Sequence, residues 1–525
     1  MDVTEDRVDD VMVWKLLRQM RSGYGQAEFL YTYVTVTTHR RYRIRVDMEY
    51  TASAHAESPT APAGPGQNGL TALDERGEAL KDRSTQPATE LIVPRWLITM
   101  TGGVAHVQSE QAVVVAGTDI LAVGHAAELR QQYASTRVTE LPHHVLVPGL
   151  INAHGHAAMT LFRGLADDRD LMTWLQEHIW PAEAEHVSEQ FASCGVELAI
   201  AEMLRSGTTC FSDMYYFPEV TAKVATRLHM RAQIAFPVLD FPTVWASDAD
   251  EYLRKGTRLL NEYRDDGLIK VAFGPHAPYT VSDEPLKRIA VLADELDADI
   301  QVHLHETAFE VEESLKIHGK RPIQRLAELG CLTQNTQCVH MTQLIDSDIG
   351  LLQATHAKVI HSPESNLKLA SGFCPVQKLL DAGVVVGIGT DGAASNNDLD
   401  LLLEMRTAAL IGKAVSGSAA AVSASAVLNM ATLGGATALG LADRCGSIEA
   451  GKAADLTAIT LTDPSSQPCY DLVSHLAYSV NSRDVSDVWV GGRRQLERGL
   501  LVNIDTDRLM AEVGRWRETI ASNRG

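Results

Sequence analysis

Residues 147–156 read Val147-Pro148-Gly149-Leu150-Ile151-Asn152-Ala153-His154-Gly155-His156. A short apolar run ends in two histidines spaced i, i+2. In extended backbone, residues two apart point to the same face, so both imidazoles can turn toward one metal ion. The run predicts a strand over 146–153. Its exit carries no GxGxxG turn, which removes a doubly wound, dinucleotide-binding sheet. Downstream, β-branched and apolar runs predict seven more strands at 208–213, 232–238, 269–275, 299–304, 336–340, 357–361 and 384–390. They are short and apolar, as strands buried on both faces are. Amphipathic segments such as 189–205, 283–297 and 343–355 lie between them. Eight strand–helix units over roughly 290 residues predict an α/β fold, a (β/α)8 barrel spanning 148–443.

Barrel chemistry sits at the C-terminal ends of the strands. Strand five ends in His303-Leu304-His305-Glu306, strand six in Val339-His340 and strand eight in Thr390-Asp391-Gly392. Together with strand one they offer neutral imidazoles and a carboxylate, a donor set that suits a divalent ion, Zn²⁺ first and Fe²⁺ second. His178, His186 and His318 stand outside this pattern and read as ordinary hydrogen-bonded histidines.

The rest of the 525-residue chain frames the barrel. Glycine-punctuated apolar runs over 89–147 and again over 444–505 predict a small β-sandwich built from both flanks. The last residues, 506–525, are expected to form a helix. Residues 1–88 form an extension of different texture. Pro59, Pro62, Pro65, Gly64, Gly66 and Gly69 fall in a stretch too polar to offset its ordering entropy. A basic cluster, His39-Arg40-Arg41-Tyr42-Arg43, lies within the extension and receives no function.

A net charge of −21 disfavours nucleic acid and anionic membranes as partners and favours a small-molecule substrate. No apolar run reaches the roughly 18 residues of a membrane span, and the acidic start Met1-Asp2-Val3-Thr4-Glu5-Asp6 is no signal peptide. Seven scattered cysteines without CxxC spacing fit a reducing cytoplasm.

The HxH, HxHE, His and TDG set, in barrel order and with the 147–156 lead-in, resembles the amidohydrolase superfamily in its cytosine deaminase and triazine hydrolase branch. The resemblance covers about 90–500. It implies metal ligation by His154, His156, His303 and Asp391. It also implies catalytic roles for Glu306 as the acid that protonates a substrate ring nitrogen, His340 as a hydrogen-bond donor to the attacking oxygen and the tetrahedral intermediate, and Asp391 as the acceptor of the water's proton. Glu306 and Asp391 would then also touch the substrate. Binuclear members carry a bridging lysine at the end of strand four. Here that end reads Gly274-Pro275-His276, and Lys270 lies too early, so one metal ion is expected. Related barrels form dimers or tetramers, and the resemblance implies a homo-oligomer by analogy.

Further stretches resemble one subgroup, the 5′-methylthioadenosine/S-adenosylhomocysteine deaminases: 161–168, 174–183, 274–279, Ser365-Asn366-Leu367-Lys368-Leu369 and 389–397. The resemblance places Glu183 and His276 against the substrate. A carboxylate can accept both hydroxyls of a ribose cis-diol, and Trp174 is a candidate wall for the thioether side. The subgroup's two arginines after strand three have no counterpart in Ile234-Ala235-Phe236-Pro237-Val238-Leu239-Asp240-Phe241-Pro242, and Arg254 lies further along the helix. The apolar replacement, Phe236 and Phe241 included, suits a methylthio group better than an amino-acid tail, so methylthioadenosine and adenosine rank above S-adenosylhomocysteine. A guanine or cytosine deaminase and a triazine chlorohydrolase share the metal set, and Glu183 discriminates against them. A non-catalytic nucleoside-binding scaffold would have lost a ligand or the acid, yet all six residues are present.

Overall fold

The computed structural model describes residues 87–522. Up to residue 86, the N-terminal extension and its basic cluster lie outside the described residues. Strands β1 (Glu90–Ile98), β2 (Val107–Ser109), β3 (Gln111–Ala116), β4 (Asp119–His125) and β5 (Arg137–Pro148) open the described chain. The barrel strands follow: β6 (Leu150–Asn152), β7 (Thr208–Asp213), β8 (Arg231–Val238), β9 (Ile269–Pro275), β10 (Ile300–Leu304), β11 (Thr336–His340), β12 (Lys358–His361) and β13 (Val386–Ile388). Then come β14 (Leu456–Thr460), β15 (Val485–Val490), β16 (Arg493–Glu497) and β17 (Leu500–Leu501), and a helix over Thr506–Ser522.

Strands β6 to β13 pair in sequence order, all parallel, into one eight-stranded sheet. Its two ends meet: Ala153 N donates to Ile388 O at 2.9 Å and Asp391 N to His154 O at 3.1 Å. That seam makes the sheet a barrel and sets the HxH and TDG motifs side by side. Asn152 reinforces it, donating from Nδ2 to Thr390 Oγ1 at 2.8 Å and accepting from Thr390 N at 3.0 Å. The short helix Leu433–Ala438 closes the opposite end, where Ile151, Cys210, Val339, Ile360, Ala436 and Leu439 form an apolar plug. Access is left to the C-terminal ends of the strands.

The strand expected over 146–153 is two strands. Residues up to Pro148 belong to the flanking sheet, and Leu150 begins the barrel. Gly149 sits at the break, where a Cβ would stand 2.1 Å from Thr209 Oγ1. The flanking strands form one mixed sheet of nine, with β5 paired antiparallel to β14 and thus joining the two flanks of the chain. The sheet curls on itself. Ala454 N donates to Thr118 O at 2.9 Å, and Ile92, Val113 and Ile120 share one core with Leu456, Ala458 and Trp489. No helix among the described residues is long and apolar enough to cross a membrane, and all seven cysteines are free.

Candidate metal and catalytic site

His154, His156 and His303 come together at the open end, their ligand atoms all within 4.8 Å of one another. His303 Nε2 lies 3.2 Å from His154 Nε2. Asp391 Oδ1 lies 3.5 Å from His154 Nε2 and 3.2 Å from His156 Nε2. The other ring nitrogens have acceptors. His156 Nδ1 donates to Met214 O and His303 Nδ1 to His276 O, each at 2.6 Å. His154 Nδ1 meets Gln301 Oε1 at 2.8 Å, while the Gln301 amide nitrogen donates to Ala153 O at 3.2 Å. Carbonyl oxygens only accept, so all three rings carry their proton on Nδ1 and turn Nε2 lone pairs toward one point. Lone pairs this close repel one another unless a cation lies between them. A tetrahedron with bonds of about 2.0–2.1 Å has edges of roughly 3.3–3.4 Å, which matches these separations. The residues therefore fit one divalent ion. Lys270 turns to the opposite end of the barrel and pairs with Asp299 at 2.6 Å, so it offers no bridge to a second ion.

Backbone geometry explains the residue choice. His340 and Asp391 hold φ of 76° and 62° at the ends of their strands, a left-handed conformation costly for residues with a side chain. Gly389 lets strand eight reach strand one, since a Cβ there would lie 2.7 Å from His154 N.

His340 is buried with its Nε2 3.8 Å from Glu306 Oε2, and burial pushes its pKa down to about 3. Glu306 is also buried. Burial, then the charges of Asp391 and Glu310, hold its carboxyl well above the usual range against a Ser371 hydrogen bond. Burial works on Asp391 in the same direction, but the neighbouring His154 and His156 outweigh it and hold its carboxyl well below the usual range. A small cavity reaches Glu306 between Leu171, Met172, Tyr279, Thr307, Phe309 and Glu310.

Glu183 is 7% exposed, and Tyr215 Oη donates to it at 2.7 Å. Burial raises the Glu183 carboxyl to about 7 despite that bond. The Tyr215 ring in turn lies 6.3 Å from the His156 ring. Glu183 rides on a helical stretch, Leu171–His186, that widens over Trp174–Ile179 into a π-type turn, where Trp180 N bonds Leu175 O. Pro181 has no N–H to continue an ordinary helix there. His276, at the end of strand four, bonds Thr280 Oγ1 through Nδ1 at 3.0 Å, and its ring is 5.0 Å from that of His303. Burial lowers its pKa to about 4.

Trp174 is buried in the apolar core, and the cavity beside Glu306 is lined by Leu171 and Met172 instead. Phe236 also faces away from the site. A Cβ on Gly256 would stand 2.1 Å from its ring, so it packs against the outer helices. Phe241 does face Trp180, ring centroids 6.1 Å apart. Arg254 is exposed and bonds Glu251 at 3.3 Å. His305, within the HxHE motif, turns aside and accepts from Ile323 N at 3.1 Å. Sequence reasoning missed Tyr215, Gln301 and Glu310. Glu310 accepts from the backbone N–H groups of His305 and Glu306 at 2.9 and 2.8 Å. Its place four residues after Glu306 was the available signal.

The chain matches the amidohydrolase family over residues 145–494. It is 50% identical over 440 residues to the 5-methylthioadenosine/S-adenosylhomocysteine deaminase of Saccharophagus degradans, covering 83% of this chain and 98% of that protein. The protein of the same name from Teredinibacter turnerae is 51% identical over 396 residues, 75% of this chain and 89% of that one. Among solved structures, a zinc-bound adenosine deaminase from Xanthomonas campestris superposes with a TM-score of 0.82 at 46% identity, covering 83% of this chain and 99% of that chain. The zinc-bound atrazine chlorohydrolase of Arthrobacter aurescens, 24% identical with a TM-score of 0.77 over 82% of this chain and 100% of that chain, shares the fold. Histidine cluster, barrel and sequence agree, and the chain belongs to the amidohydrolase family.

Proposed function

We propose that the protein is a metal-dependent aminohydrolase that converts 5′-methylthioadenosine, and adenosine, to the inosine analogue and ammonia. One observation carries the reading. Glu306, a buried carboxyl whose pKa burial raises well above the usual range, lines a small cavity and lies 3.8 Å from His340 Nε2. A neutral acid can protonate a ring nitrogen at pH 7 and so makes the adjacent carbon electrophilic.

His154, His156, His303 and Asp391 would hold the ion, Zn²⁺ before Fe²⁺ for this set. Bound there, a divalent ion lowers the pKa of water toward neutrality and supplies hydroxide. Asp391 takes the proton of the attacking water and returns it to the departing amine. His340 donates a hydrogen bond to the incoming oxygen as charge builds on it. Glu183 accepts from the ribose hydroxyls, and His276 stands over the purine–ribose region. The names of the similar proteins support an adenine nucleoside. The apolar pair Phe241 and Trp180 offers no guanidinium for an amino-acid carboxylate, which ranks S-adenosylhomocysteine lower. The protein acts as a homo-oligomer, dimer or tetramer, in the cytoplasm, a placement supported by its free cysteines.

Zinc-loaded protein incubated with methylthioadenosine, adenosine, S-adenosylhomocysteine, guanine and cytosine tests this. Ammonia release and the ultraviolet change from aminopurine to oxopurine are followed, with Glu306→Gln as control. Methylthioadenosine is expected to turn over fastest and to be slowed about 10²- to 10⁴-fold in the control. A protein with bound zinc that turns over no adenine nucleoside would sink the reading.

A further inference from the structure

The stretch after strand seven plays no part in the reaction drawn above, yet it reaches the site twice. Pro363–Lys368 is a short helix that begins two residues beyond β12. Ser365 Oγ donates to Asp391 Oδ2 at 2.6 Å, and Asn366 Nδ2 lies 2.9 Å from His340 Nδ1. Both residues are buried, and Asn366 Oδ1 has no hydrogen-bond partner. The His340 ring is thus the one side-chain hydrogen-bond partner that Asn366 has among the described residues in this buried site.

We propose that Asn366 is a positioning residue that sets the ring tautomer of His340, holding the proton on Nε2 by donating to Nδ1. The contrast is internal to the site. His154, His156 and His303 each have an acceptor at Nδ1 and present a lone pair at Nε2. His340 has a donor at Nδ1 and presents a proton at Nε2, the nitrogen that faces Glu306. Four neighbouring imidazoles are thereby divided into three ligands and one donor by the group behind each ring. Without that division, a fourth lone pair would compete for the cation, and no proton would meet the attacking oxygen. The proposal rests on the reading of His340 as a donor in the deamination.

The test is the ring-nitrogen spectrum of zinc-loaded protein carrying ¹⁵N-histidine, with the His340 signals assigned by their loss in His340→Asn. The wild-type ring is expected to be protonated on Nε2. Asn366→Asp has the same shape, but its carboxylate only accepts, so the proton should move to Nδ1. Reversing the tautomer of a catalytic histidine can cost about 10⁴ in kcat. Here a loss of about 10²- to 10⁴-fold in kcat for methylthioadenosine is expected, with KM within about threefold. Asn366→Leu fills the space and leaves the tautomer to the ring, so it should lose less. If Asn366 served only packing, the isosteric Asp would be the milder change. A wild-type ring protonated on Nδ1, or an Asp variant more active than the Leu variant, would overturn the proposal. The wild-type spectrum decides the matter even where a variant does not fold. Nε2 protonation in a protein that deaminates no adenine nucleoside would uphold the tautomer assignment and defeat only the substrate reading.

Discussion

The strand-end cluster and the Leu171–His186 helical stretch face each other across the site, and they are held in opposite ways. Each group of the cluster is fixed twice, once by the barrel backbone and once by a polar partner behind it, as with Gln301 behind His154 and Met214 O behind His156. The helical stretch hangs from contacts between side chains, chiefly Tyr215 on Glu183 and Phe241 against Trp180. On the proposed reading, the first region would activate water whatever ring is presented. The second would distinguish one nucleoside from another. Damage to the cluster should therefore abolish turnover of every substrate, whereas changes on the helical side should reorder substrates. His303→Ala gives the largest effect. Zinc content should fall close to zero, and turnover of all substrates should drop by about 10⁴-fold or more. A chelator should reproduce that loss in the wild type, with zinc restoring it. Retained zinc with full activity would refute the ligand assignment.

Glu306→Gln sharpens the same side of the comparison. The amide keeps the shape but cannot give up a proton. A loss of about 10²- to 10⁴-fold in kcat is expected, with zinc content and the ranking of substrates unchanged. A variant that changes the ranking instead would place Glu306 among the specificity groups.

The two regions also differ in how far the sequence revealed them. The strand-end cluster was legible because strand geometry converts spacing into direction: His154 and His156 share a face at i, i+2, and strand order brings His303 and Asp391 to the same barrel end. The tautomer-setting partners were not legible, since Gln301 lies 147 residues from His154 and Met214 58 residues from His156. Strand one was misdrawn because Val147 and Pro148 are as apolar as Leu150 and Ile151, and nothing in their composition marks the change of sheet. On the helical side, Glu183 was reached through resemblance, and Phe236 was wrongly grouped with Phe241. Proximity in sequence does not tell which face of a strand end a ring takes. Residues 235–238 alternate between barrel and helices, and Phe236 falls on the helical face.

Glu183→Gln probes the helical side next. Losing a charge-assisted bond to two hydroxyls costs about 1.5–3 kcal/mol, or roughly 10- to 100-fold in kcat/KM. The loss should vanish with a 2′,3′-dideoxy substrate, which has no diol to hold. The pH dependence follows from the raised carboxyl. Below about 7, Glu183 keeps its proton and accepts from the diol poorly; above it, the carboxylate accepts from both hydroxyls. KM should therefore fall as pH rises through about 7 in the wild type and stay flat in Glu183→Gln. An equal loss with the dideoxy substrate would remove the ribose assignment.

The smallest effect concerns the 5′ end of the substrate. Trp180 and Glu183 lie three residues apart on one helical turn and so share a face. Phe241, 37% exposed, meets Trp180 from the loop after strand three. On the proposed reading, a group extending from a ribose held by Glu183 would run past that pair. Phe241→Arg would lay a guanidinium over the Trp180 ring, where cation–π contact holds it, and would face the tail with a charge suited to a carboxylate. About a tenfold gain in kcat/KM for S-adenosylhomocysteine is expected, with methylthioadenosine changed by about threefold or less. Because the residue is half-exposed, the ion pair is partly screened, which keeps the expected gain to one order of magnitude. An unchanged ratio between the two substrates would place the 5′ substituent elsewhere and leave the strand-end chemistry untouched.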